Sequence, residues 1–281
     1  MHGGLSRTTF KRFQTLIHRE AGIWLGDAKT ALVSCRLAKR IRELDIDSLD
    51  RYCLLVESCA DERAAMLDLI TTNETHFFRD VRQFEFIERS IIPQWKIDAT
   101  EGTRRKQVRV WSAGCSSGEE PYTLSMIFSS HLTKAEGWEA SVLGTDISTR
   151  VLAKAKAGVW PIARAADIPA RYLKPYMLKG TGAHQDSMRA KDEIREAVQF
   201  RRLNLHAEFS LGVKFDIIFC RNVLIYFNAE SKQKAVRKLV SHLVPGGLLF
   251  LGHAENLMGL GLQGQSVYPN VYRFSEAERE R

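Results

Sequence analysis

The feature that most restricts the fold is an alternation that begins near residue 108. Val108-Arg109-Val110-Trp111 reads as a short strand running into Ser112-Ala113-Gly114-Cys115-Ser116-Ser117-Gly118, and an amphipathic helix follows from Glu119 to about His131. Ser141-Val142-Leu143-Gly144-Thr145-Asp146 is a second strand that ends in an acid, with helix signals returning over Ser148–Ala157. Phe215–Cys220 is a third, buried strand. Lys232–Leu243 is a helix closed by Pro245-Gly246-Gly247, and Leu248–Leu251 is a fourth strand. Strands separated by helices are joined by crossovers, which lay them parallel with helices on the faces. The fold class is therefore α/β, a doubly wound and mostly parallel sheet. Residues 158–200 break the rhythm with Pro161, Pro169, Pro175 and the turn Gly180-Thr181-Gly182, and read as an inserted small β-subdomain with helical flanks.

The first 80 residues follow a different period. Phe10, Phe13, Leu16 and Ile17 recur at helical spacing, as do Ala31, Leu32, Leu37, Ile41 and Leu44, with Asp27 as the expected N-cap of the second helix. Leu54–Val56 and Met66–Ile70 suggest two more helices. The division expected is an all-helical domain over 1–80 and the α/β domain over 81–281, within what 281 residues can accommodate. No apolar run approaches the ~18 residues of a membrane span, so no membrane insertion is expected. Residues 1–10 lack the apolar core of a secretion signal. The five cysteines are odd in number and form no C-x-x-C, which predicts reduced thiols in a cytoplasmic protein and no metal site.

A surplus of 41 Lys/Arg over 33 Asp/Glu predicts an acidic partner without choosing its kind. The surplus is segregated. Residues 1–42 carry nine basic against two acidic side chains, residues 43–80 three against ten, and residues 149–202 twelve against five.

The glycine loop carries a first hint of chemistry. Only Gly114 and Gly118 are present, so the dinucleotide fingerprint is not matched, and Glu119-Glu120 after Gly118 excludes a P-loop. Two acids at a helix start suit the helix dipole but repel a pyrophosphate. A cofactor that carries a cation and no phosphate, such as S-adenosylmethionine, suits the loop better. Asp146, at the end of the second strand, stands where a ribose hydroxyl is commonly bound, or else caps the helix from Ser148.

Four segments are more specific: Thr71-Thr72-Asn73-Glu74-Thr75-His76-Phe77-Phe78-Arg79-Asp80, Trp111–Tyr122, Phe215–Phe227 with its Cys220-Arg221-Asn222-Val223-Leu224-Ile225-Tyr226 core, and Gly246–Glu255. Together and in this order they resemble the CheR family of chemotaxis receptor methyltransferases, from the N-terminal helices to about Phe274. The resemblance implies a class I S-adenosylmethionine-dependent methyltransferase domain with an inserted β-subdomain, preceded by an all-helical domain. It implies methylation of glutamate side chains on the acidic cytoplasmic signalling helices of chemoreceptors. Carried over by position, it implies a cofactor site of Asn73, Thr75, Arg79, Glu120, Asp146, Asn204, Leu205, Arg221 and Asn222, with Glu119 the competitor of Glu120. Arg79 and Tyr226 are the implied catalytic pair beside the transferred methyl. Cys115 departs from a position where a small residue such as Ala is common, a tolerable change.

The residue types suit that reaction. A glutamate with an ordinary pKa of about 4.3 is already ionised at neutral pH, so no general base, metal or enzyme nucleophile is required. Alignment remains, which can account for about 7–11 kcal/mol of barrier. Arg79 has the planar fork to orient a carboxylate, and Tyr226 a ring that can lie against a sulfonium. His76 and His253 read as hydrogen-bonded packing groups rather than bases, and Phe77, Phe78, Phe215 and Phe227 as core rather than an adenine box, although one of the four could stack on adenine.

Arg36, Lys39 and Arg40 lie at i, i+3 and i+4 and, with Arg42, form a basic helix face that the resemblance assigns to receptor docking. In some family members the inserted subdomain binds a C-terminal receptor peptide by strand addition, and Gly180-Thr181-Gly182 is compatible with it. Two other readings are a methyltransferase of RNA or a small molecule, and a non-catalytic module that senses the cofactor. No RNA-binding module is visible, so nucleic acid is not an expected partner.

Overall fold

The computed structural model describes residues 5–276. Four helices come first: α1 (Arg7–Ala21), α2 (Thr30–Glu43), α3 (Leu49–Ser58) and α4 (Ala60–Ile70). They close around one apolar core, to which α1 contributes Phe10, Phe13, Leu16, Ile17 and Ala21 and α2 contributes Val33, Leu37 and Ile41. Ser6 caps α1 and Ser48 caps α3 through their side chains. Asp27 does not cap α2 as expected. Residues 27–29 form a 3₁₀ turn, and Thr30 Oγ1 donates to the Asp27 carbonyl.

A helical connector follows, α5 (Val81–Phe86), a π turn over Ile87–Ile91 and α6 (Ile92–Thr100). Then come β1 (Gln107–Ala113), α7 (Glu119–His131), β2 (Glu139–Asp146), α8 (Thr149–Ala157), β3 (Val159–Pro161), α9 (Ala170–Tyr176), β4 (Met177–Lys179), β5 (Ser187–Ala190), α10 (Asp192–Glu196) and β6 (Val198–Arg202). The chain ends with β7 (Phe215–Cys220), α11 (Ala229–Ser241), β8 (Leu243–Leu251), β9 (Gln265–Tyr268) and β10 (Val271–Phe274). The main sheet runs β6-β2-β1-β7-β8-β10-β9, so its strands, numbered within the sheet, stand in the order 3-2-1-4-5-7-6. The first five are parallel, and β10 is antiparallel to both β8 and β9. One face packs under α7 and the connector, with Phe219 stacked between Phe84 and Phe250. The other packs under α11 around Trp111, whose Nε1 donates to Thr145 Oγ1 at 2.9 Å.

Two expected boundaries move. The inserted subdomain is a three-stranded antiparallel sheet, β3-β5-β4, spanning 159–190, whereas β6 belongs to the main sheet. Pro245-Gly246-Gly247 does not follow a helix running to Leu243. It lies inside β8, where pairing with β7 shifts register between Phe215 and Ile217.

The basic face of α2 is also corrected. Arg40 Nε and Nη2 make a bidentate pair with Glu62 at 2.9 and 2.6 Å, and Tyr52 donates to the same carboxylate at 2.8 Å. Arg36 donates to the Ile70 carbonyl and to Thr72 Oγ1. Both guanidinium groups are engaged inside the helical domain, and Lys39 and Arg42 remain as the exposed cations of the predicted set. The Arg40 hydrogen bond holds the buried Glu62 carboxyl below the usual carboxylate range.

Removal of one partner from a buried pair strands the other. Arg40→Ala should therefore destabilise the protein by about 1.5–3 kcal/mol in urea unfolding, the scale of a charge-assisted hydrogen bond, whereas Lys39→Ala should change it by less than about 0.5 kcal/mol. Because the native Glu62 pKa is depressed, the wild-type advantage is complete above about pH 4.3 and disappears as pH falls through the lower native value.

Candidate active site

The carboxyl ends of β1, β2 and β7 meet where strand order reverses, the place where open α/β sheets form a crevice. The loop after β1 turns sharply at Gly114, with φ at 80°. A Cβ there would lie 2.3 Å from Val223 Cγ2 on the turn after β7, so only glycine lets the two turns approach this closely. The amides of Gly114 and Cys115 donate to the Thr145 carbonyl at 2.7 and 2.9 Å. Asp146 completes the join. Its two oxygens accept from the amides of Ser116 and Ser148, each at 2.9 Å, while Ser148 Oγ caps α8. Burial pushes the Asp146 carboxyl above its ordinary range, opposed by the Ser148 and Ser116 amides.

Arg221, at the end of β7, is 6% exposed and ties four segments together. Its Nε donates to Glu120 Oε2 at 2.7 Å. Its Nη1 donates to the Arg79 carbonyl at 2.8 Å and to Gln83 Oε1 at 3.1 Å. The guanidinium lies 5.0 Å from the Phe84 ring centroid. Glu120 accepts in addition from Ser112 Oγ at 2.7 Å. Glu119 turns away, buried and bonded to Ser117 Oγ, and burial pushes its carboxyl up.

One cavity brings the predicted residues together. Asn73, Thr75, Arg79, Glu120, Asp146, Asn204, Leu205, Arg221, Asn222 and Tyr226 all line it, and Glu119 does not. Residues singled out by no motif also contribute: Ala21 from α1, Ile147 and Leu203. Phe227 lines it too, whereas Phe77, Phe78 and Phe215 are core. Cys115 lines it as a buried thiol whose pKa burial raises. His253 is exposed and not packed as expected.

The helical domain forms one wall. Trp24 N–H donates to the Tyr226 carbonyl at 2.7 Å, and Ile23 pairs antiparallel with Phe227. Asn204 Nδ2 donates to the Glu20 carbonyl at 2.6 Å. Tyr226 is thus held through its backbone. Arg79 is held lightly, by Nη1 to the Glu74 carbonyl at 3.2 Å.

Cavity chemistry can be matched to a ligand type. Asn222 lines the cavity, and its Oδ1 is buried with no hydrogen-bond partner among the described residues, an acceptor that an N–H of a ligand would satisfy. Glu74, Glu120 and Asp146 face Arg79 and Arg221 around it, and the Glu120–Arg221 pair cancels, leaving an acidic surplus suited to a cationic group. The paired oxygens of Asp146 each keep a lone pair for a hydroxyl. S-adenosylmethionine, with its amine, sulfonium and ribose, fits these three features.

Strand order 3-2-1-4-5-7-6 with the crevice at the β1–β2–β7 ends is the fold of the class I S-adenosylmethionine-dependent methyltransferases. Comparison with known proteins narrows the class. The family described as CheR methyltransferase, SAM binding domain, matches residues 73–268, and CheR methyltransferase, all-alpha domain, matches residues 8–71. A chemotaxis protein methyltransferase of Salmonella typhimurium is 36% identical over 274 residues, covering 94% of this chain and 90% of that protein. One from Escherichia coli is 38% identical over 273 residues, with 94% and 91% covered. One from Klebsiella aerogenes is 37% identical over 271 residues, with 94% and 90% covered. The chain belongs to the CheR methyltransferase family. S-adenosylmethionine is its cofactor.

Arg221→Met should strand Glu120 in the interior and loosen the Arg79 segment. The expected cost is about 3–5 kcal/mol of stability, with loss of S-adenosylhomocysteine binding in calorimetry. Arg221→Lys keeps the charge without the fork and should fall between the two.

Proposed function

We propose that this enzyme transfers methyl groups to glutamate side chains on the acidic cytoplasmic signalling helices of a chemoreceptor, yielding methyl esters and S-adenosylhomocysteine in sensory adaptation. The observation that carries the reading is the pairing of Arg79 with Tyr226 on one cavity, in a protein similar along most of its length to chemotaxis protein methyltransferases. Bound S-adenosylmethionine supplies a methyl group made electrophilic by the sulfonium. The chain supplies position. Asp146 holds the ribose, and Asn222 accepts an N–H. Asn73, Thr75, Glu120, Asn204, Leu205 and Arg221 shape the remaining cofactor wall. Arg79, with most of its fork uncommitted among the described residues, orients the incoming carboxylate. Tyr226, whose backbone is fixed by Trp24 and whose hydroxyl bonds to no described residue, faces the reacting centre. An ionised carboxylate requires no base, and among the described residues no imidazole borders the cavity.

Residues 1–80 serve in this reading as the docking domain and residues 81–281 as the catalytic domain. Lys39 and Arg42 on α2, joined by Arg7, Lys11 and Arg19, exposed along α1, present positive charge to an acidic helix. The β3 and β4 edges of the small sheet are open to strand addition by a C-terminal receptor peptide. The enzyme works in the cytoplasm, where such helices lie.

Tritiated S-adenosylmethionine with a receptor cytoplasmic fragment should yield label released as methanol by alkali. Label that resists alkali, or that goes to RNA, overturns the reading. Arg79→Ala should lower kcat by about a hundredfold or more, the scale of lost alignment. Tyr226→Phe should cost about tenfold, one hydrogen bond. Lys39→Glu with Arg42→Glu should raise KM for the fragment, most at low salt, and leave cofactor affinity unchanged.

A further inference from the structure

The turns after β7 and β8 leave backbone N–H groups beyond the last rungs of the sheet, where Cys220 and Leu251 are paired. A buried amide without an acceptor is costly. Three of these amides converge on one carboxylate. Glu255 Oε2 accepts from Asn222 N–H at 2.9 Å and from Gly252 N–H at 2.7 Å, and Oε1 accepts from Ile225 N–H at 3.2 Å. Glu255 is 2% exposed, and its own carbonyl accepts from Asn270 Nδ2. A Cβ on residue 252 would lie 2.7 Å from Glu255 Oε2 and 2.8 Å from the Asn222 nitrogen, so glycine there is what admits the carboxylate between the turns.

What this carboxylate clamps is the cavity wall. Asn222 sits in the left-handed region at φ 59°, a strained conformation that persists where surroundings over-determine it. Its amide is bound to Glu255, and the residue lines the cavity with a buried Oδ1 that has no partner among the described residues. The Ile225 amide fixes the same turn one residue before Tyr226. We propose that Glu255, which does not border the cavity, is a positioning residue of the methyltransferase: its carboxylate sets the Asn222–Tyr226 turn and thereby the cofactor contact made by Asn222. The proposal rests on the reading of Asn222 as a cofactor ligand, which one variant below tests alone.

Glutamine makes a sharp substitution here. It offers one carbonyl oxygen and one NH₂ to three N–H donors, so at least one backbone amide faces another donor. S-adenosylhomocysteine serves as the non-reacting probe in calorimetry, with thermal unfolding of each protein alongside. Asn222→Ala should weaken binding about tenfold, the scale of one to two hydrogen bonds. Wild-type affinity in that variant would overturn the ligand reading itself. Glu255→Gln should weaken binding at least fivefold, and the double variant Glu255→Gln/Asn222→Ala should bind within twofold of Asn222→Ala, because both changes remove the same contact. Multiplicative losses in the double variant, or wild-type affinity in folded Glu255→Gln, would overturn the positioning role. If Glu255→Gln does not fold, Asn270→Gly keeps the carboxylate and the left-handed backbone of residue 270 but deletes the tether to the Glu255 carbonyl. Weakened binding with an unchanged melting temperature then supports the proposal, and unchanged binding overturns it.

Discussion

Arg221 is the constraint on which the cavity depends. A guanidinium removed from water must find acceptors for its donors, and this one finds them on α7, on the 71–80 segment and on α5. α7 and the 71–86 stretch that holds the last two are far apart in sequence and have no sheet ladder in common. The cation substitutes for one, drawing Glu120, the Arg79 carbonyl and Gln83 to the end of β7. The stacked rings of Phe84 and Phe219 lie beside it, so the pairing takes place in an apolar medium that strengthens it. One buried cation thus joins the Glu120 side of the cavity to the backbone of the Arg79 segment.

Much of this was legible in the sequence because it rests on local pattern. The strand–loop–helix unit at 108–131 and the strand at 215–220 are read from apolar runs and periods that burial imposes directly. The cavity residues were legible through ordered motifs. What escaped the reading lacks a period of its own. β6 reads Val-Gln-Phe-Arg-Arg, an edge strand with one face in solvent, and resembles polar loop. The connector over Val81–Thr100 has its helical phase shifted by a π turn. Arg36 and Arg40 share a helix face with Lys39, but the helical wheel does not reveal that Glu62 and the Ile70 carbonyl lie opposite them. The resemblance left Glu119 and Glu120 adjacent competitors, and only the direction in which α7 leaves the loop separates them.

The charge arithmetic takes on a different meaning once partners are assigned. The balanced charge of the first 80 residues includes pairs between helices, Arg12 with Glu57, Arg40 with Glu62 and Arg63 with Glu20. Basic α1 and α2 and acidic α3 and α4 are cross-linked by opposite charge as well as by their shared core. Much of the sequence polarity is thus spent on assembling the bundle, and the cations left exposed are fewer than composition suggests.

The pairing of Ile23–Trp24 with Tyr226–Phe227 has a further consequence. It is a rung of β-structure between the helical bundle and the turn after β7, made by backbone atoms and therefore indifferent to side-chain identity. The bundle is built into the reaction chamber rather than hung beside it. Tyr226 and Phe227 also pack against the apolar core of the bundle, so backbone and side chains join the two parts at one place. A gene fragment encoding the sheet alone would encode an open-sided vessel, which is a physical reason for the two parts to be inherited as one piece.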